Sequence, residues 1–140
     1  MTSIVSYRKF INELTTKELV LPEGENRQRL GTELATIDGT TYVSLPGDTV
    51  LPQDQPAEIV DSIETQPSPL PEMLRDAICQ ASPQVQLIDR QVVEQIRSRY
   101  SIDDEIKLLR IAPSSETSAW NDFVEDCRAW GRAQKAALGL

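Results

Sequence analysis

Asp103-Asp104-Glu105 is the stretch of this chain closest to a metal or general-acid site. Successive residues on a helix point about 100° apart, so three consecutive acids cannot converge on one ion. They sit just after Ser101 and before Lys107 and Arg110, which is how acids are arranged to complement the positive end of a helix. Glu125-Asp126 beside Arg128 reads as the solvated face of a later helix. Asp48 and Asp54 lack the ligand spacing of a calcium loop. The chain contains no histidine, which removes the usual proton carrier near neutral pH, the commonest nitrogen metal ligand and any Ser-His triad. No glycine-rich phosphate loop, nucleophile elbow or dinucleotide fingerprint occurs. The expectation is a non-enzyme with no cofactor, no metal and no small-molecule substrate.

Two cysteines, Cys79 and Cys127, stand 48 positions apart and form no C-x-x-C pair. They read either as buried thiols or as a disulfide, within the chain or to a partner subunit. The formal charge of −8 repels phosphate backbones and argues against nucleic acid, and the arginines at 90, 97, 99 and 110 lack interleaved aromatics. No window approaches the ~18 apolar residues of a membrane span, and the amino terminus becomes charged at Arg8-Lys9 before an apolar run develops. A protein made in the cytoplasm, with no membrane partner, is expected.

The elements that must position these residues divide the chain into a β-containing front and a helical back. Tyr7, Phe10, Ile11 and Leu14 recur at helical spacing, so the spacing predicts a short helix from Ser6 to Leu19, with a strand at Ile4 to Tyr7 as its rival. Leu30 to Ile37 and Thr40 to Leu45 flank Asp38-Gly39, the dipeptide of a type I′ hairpin. Six of the nine prolines lie between Pro46 and Pro71, which reads as a stiff linker or a strap lying on a partner. Pro71 then opens one helix, and Ser82-Pro83 opens a second, whose stripe is Val85, Ile88, Val92 and Ile96. Ser101 with Asp104 has capping-box spacing for a third, closed at Pro113. A fourth carries Trp120, Phe123, Val124, Cys127 and Trp130 on one face and frays near Gly139. The fold class is α+β: a module with a β-hairpin over residues 1–46, a Pro-rich linker over 47–70, and a bundle of about four short helices over 71–140. Trp120, Phe123 and Trp130 read either as intramolecular core or, since two Trp on one terminal helix exceed what so small a bundle needs, as candidate partner-binding anchors.

The run Arg99 to Arg110, with its Tyr-Ser opening, "DE" and "LLR", followed by Trp120 to Arg128 with an aromatic, a Val-Glu and a Cys-Arg, resembles the carboxy-terminal part of small proteins encoded beside tail-fibre genes in tailed phages and prophages. About 35 residues carry the likeness well; the Asp-Gly hairpin and the Pro-rich run extend it loosely. The resemblance implies a structural adaptor in the virion tail, bound to a tail-fibre or baseplate protein, or else a fibre-assembly chaperone that leaves before maturation. It supplies no catalytic residue. A homo-oligomer fits either role, and a bacterial protein-interaction domain outside any phage is the third reading.

Overall fold

The computed structural model describes residues 2–140, and it is an α+β protein with strands first and helices after. Strands β1 (Ser3–Tyr7), β2 (Thr32–Ile37), β3 (Thr40–Leu45) and β4 (Glu64–Thr65) form an antiparallel sheet in the order β2-β3-β1-β4. Helices α1 (Glu72–Ala81), α2 (Pro83–Arg99), α3 (Ile102–Arg110) and α4 (Ser115–Ala137) follow. The chain forms two compact units, residues 1–84 with 137–140, and residues 85–136.

In the first unit the hairpin forms where the Asp-Gly signal places it. Asp38 and Gly39 both take positive φ, +50° and +81°, as the type I′ turn requires. A bulge between Glu33 and Ala35 shifts the register, so Leu34 and Ile37, three apart, pack with the same cluster. The central strand β1 is buried on both faces. Val5 and Tyr7 join Val43, Leu45, Leu19 and Ile59 in one cluster, while Ile4 joins Leu34 and Ile78 of α1 in the other.

The segment from 6 to 19 is therefore not a helix. Tyr7 is 2% exposed as the last residue of β1, while Leu14 is 96% exposed in an irregular loop. The long-range pairing of Ser3–Tyr7 with β3 outweighs a local periodicity that rested on only four apolar positions.

The proline-rich stretch is likewise no free spacer. Its Ile59 is 0% exposed, Leu51 and Ile63 pack beside it, and Glu64–Thr65 pairs with β1. Gln55 pins the strap to the preceding loop. Its side chain accepts from the Val20 amide (2.8 Å) and donates to the Val20 and Pro52 carbonyls (both 2.9 Å). The compact units accordingly divide at 84/85, inside the first turn of α2, rather than at 46 and 70. Nor does the carboxy terminus simply fray. Gly139 takes φ +86°, a left-handed turn after α4, and Leu138 and Leu140 pack with Ile4 and Leu34.

In the second unit α2 buries Val85, Ile88 and Ile96, with Val92 partly covered. Gly131 of α4 lets the two helices approach, because a Cβ there would stand 2.6 Å from Val92 Cγ2. Lys135 Nζ meets Asp89 Oδ1 at 2.7 Å farther along the same pair. Among the described residues, no buried side-chain polar atom lacks a hydrogen-bond partner.

Truncating the strap's anchor separates a packed strap from a spacer. Ile59→Ala lowers unfolding stability by roughly 2–5 kcal/mol, the cost of a core aliphatic truncation, read by urea denaturation followed by far-UV circular dichroism. A spacer would give a change near zero.

Candidate functional site

Several of the residues singled out in the sequence, the acids at 103–105 with Trp120 and Phe123, lie in the second unit around α3 and the start of α4. The start of α3 is built as the spacing predicts: Ser101 Oγ accepts from the Asp104 amide and the Asp104 carboxylate accepts from the Ser101 amide, at 3.0 and 3.1 Å. That bond to the backbone holds the Asp104 carboxyl below its ordinary range. Asp104 is thus the capping acid of the triplet, and no group of three or more potential ligands is gathered for a metal among the described residues.

Glu105 carries the helical connections. One carboxylate oxygen accepts from Arg97 Nη1 of α2, and the other accepts from Trp120 Nε1 of α4 at 2.9 Å. The Arg97 guanidinium, seconded by the indole N–H, holds the Glu105 carboxyl below the usual carboxylate range against the opposing effect of burial. Tyr100 and Phe123 stack at a tilt with ring centroids 5.7 Å apart. The Arg99 guanidinium lies 5.0 Å from the Phe123 ring centre and 5.6 Å from that of Tyr100.

These contacts define an open groove of about 570 Å³. Tyr100, Leu108, Ile111 and Ala119 give it an apolar floor, and Arg99, Asp104, Lys107 and Glu116 stand around it. The volume falls in the range of ligand sites, and the titratable groups around it are the Asp104 and Glu116 carboxylates, the Lys107 amine and the Arg99 guanidinium. What it offers is an open apolar trough with mixed charge at its rim. In the first unit, a second cavity beside Tyr7, Leu19 and Glu33 measures about 120 Å³, well under the ~300–1,000 Å³ of small-molecule sites.

The three expected anchors do not form one patch. Trp120 and Phe123 are partly buried behind the groove, the first tied to Glu105 and the second backing Tyr100. Trp130 lies ten residues on, roughly 15 Å along α4, in a shallow depression with Gln91, Glu94, Gln95 and Ser98. Both cysteines are thiols: Cys127 is buried in the second unit and Cys79 partly exposed in the first, so the intrachain disulfide is not formed.

What sequence reasoning missed is the outer face of α3. Ile102, Ile106 and Leu109 are 61%, 41% and 73% exposed, so the apolar stripe of this helix points to solvent. Their i, i+4, i+7 spacing was visible, but such a stripe is ordinarily turned inward.

Among the described residues no helix is long and apolar enough to cross a membrane. The chain matches no family model, no curated protein sequence and no solved structure.

Glu105 gives a pH-dependent signature. A carboxyl held low in the folded state contributes stability that is fully present above its unfolded value and is lost as pH falls through the folded one. Glu105→Gln costs about 1 kcal/mol at pH 7, given the partial exposure of the Arg97 pair. It also flattens the acid limb of stability below roughly pH 4.5, measured by thermal melts from pH 7 to 3. Parallel wild-type and mutant acid limbs would deny Glu105 its role.

Proposed function

We propose that this chain is a non-catalytic adaptor of a phage tail, gripping a tail-fibre or baseplate protein through the groove between the end of α2, α3 and the start of α4. The observation that carries the reading is that groove's floor of Tyr100, Leu108, Ile111 and Ala119, built on helices and braced from behind by Phe123 and Trp120. An apolar floor rimmed by charges of both signs supports the binding of a partner's apolar side chain flanked by charged groups.

The setting comes from the resemblance. The residues that carry it, Arg99 to Arg110, supply Arg99, Tyr100, Asp104, Lys107 and Leu108 to the groove. Trp120 and Phe123 act in this reading as braces of the groove, and Trp130 marks a second, shallower contact. A covalent tether through Cys79 or Cys127, formed once the particle leaves the reducing cytoplasm, belongs to the same reading.

The test is mass spectrometry of particles purified from the strain that carries the gene, with and without reductant. A fixed stoichiometry in the particle is expected, falling about tenfold or more for Ile111→Lys. That variant changes a 44% exposed groove residue and leaves the folded circular-dichroism spectrum unchanged. Absence from particles with recovery on free fibre protein would make the chain an assembly chaperone. Absence from both would overturn the tail reading in favour of an interaction domain outside any phage.

A further inference from the structure

We propose that the outer face of α3 is the seat of a second copy of this chain, the two α3 helices pairing antiparallel about a two-fold axis. Ile102, Ile106 and Leu109 form one continuous apolar row over the nine-residue helix, with Leu109 73% exposed. At about 100° per residue the three fall within a 60° arc. The groove residues Asp104, Lys107, Leu108 and Ile111 fall on the other side of the same helix. A copy on the row therefore leaves the groove open.

Charge chooses the occupant and its direction. One flank of the row carries Asp103 and Arg110 at i and i+7, acid at the amino end and base at the carboxy end. In an antiparallel pair, a two-fold axis through the middle of the row sets Asp103 of each copy beside Arg110 of the other. It also lays the positive end of each helix against the negative end of its mate. A parallel pair about a two-fold would instead put the two charged flanks on opposite sides of the seam, where Asp103 of one copy has no Arg110 of the other beside it. The row is thus self-complementary in one direction only, as a two-fold interface requires.

The size of the row sets the strength. Three aliphatic side chains per copy give an interface at or below the ~1,200 Å² of transient complexes. The dimer is weak in solution and would be reinforced wherever a symmetric assembly holds copies together.

Sedimentation equilibrium of the full chain from about 10 μM to 1 mM tests this, a range that brackets weak association. The expected result is a reversible monomer–dimer equilibrium. Leu109→Glu, a change at an exposed site that spares the fold, raises the dimer dissociation constant about tenfold or more. Asp103→Arg weakens the dimer, and Asp103→Arg combined with Arg110→Asp restores it. Circular dichroism checks that each variant is folded. A monomer throughout the range would overturn the proposal, as would a dimer indifferent to Leu109→Glu. Failure of the charge swap to restore association would overturn the antiparallel register. Growth beyond the dimer would overturn the two-fold in favour of head-to-tail joining of row and groove.

Discussion

A single carboxylate organises the helical unit. Glu105 takes a hydrogen bond from Arg97 of α2 and another from Trp120 of α4, so three helices meet at one side chain of the shortest of them. The geometry of the groove follows. With Glu105 turned toward its two donors, Leu108 comes round to the groove floor beside Tyr100 and Ala119, and Ile102, Ile106 and Leu109 are turned outward. A charge-assisted pair has a direction, which an aliphatic contact lacks, and here direction fixes the rotation of α3 about its own axis.

The sheet unit depends on a different constraint, the double burial of β1. An antiparallel sheet commonly leaves one face to water, but Ile4, Val5, Ser6 and Tyr7 are all buried. Both faces therefore need cover from elsewhere in the chain. The proline-rich strap supplies one side with Leu51, Ile59 and Ile63, while α1 and the carboxy-terminal Leu138 and Leu140 supply the other. Prolines suit the strap because it covers the sheet mostly outside the ladder, where a missing amide is no loss, and only Glu64–Thr65 pairs as strand. The buried Ser6 hydroxyl of β1 is answered by the Gln66 side-chain amide at 2.7 Å just beyond that short strand.

Where local chemistry decides an element, the sequence was legible. Asp38-Gly39 made the hairpin, Ser82-Pro83 opened α2, and Ser101 with Asp104 capped α3, each through bonds or torsions confined to a few residues. Where a distant partner decides, it was not. Tyr7, Phe10, Ile11 and Leu14 had a helical period, but β3 lies more than thirty residues downstream and its register takes Tyr7 opposite Thr41. Ile59 sits among prolines that read as a spacer, and only the exposed apolar face of a sheet formed elsewhere gives it a home. The groove was half legible: the residues of α3 and the aromatics of α4 stood out, but the bond between Trp120 and Glu105 is a tertiary pairing. It turned the expected anchors into braces.

Magnitudes then separate the two sides of α3. Burying an aliphatic side chain fully is worth about 1.5–3 kcal/mol, so a row of three left in water forgoes several kcal/mol that a monomer could have gained. A charge-assisted hydrogen bond contributes about 1.5–3 kcal/mol before screening, and the Arg97 pair is partly exposed. Glu105 therefore orients the helix without compensating for what its outer face gives up. A lone exposed leucine is ordinary on any protein surface, whereas an unbroken apolar row with an acid at one end of its flank and a base at the other has the pattern that the proposed pairing needs. The row and the groove lie on different sides of one helix held in one rotation. In the two proposed pairings a single α3 would face a copy of itself and a foreign segment together, with the same carboxylate aiming both surfaces.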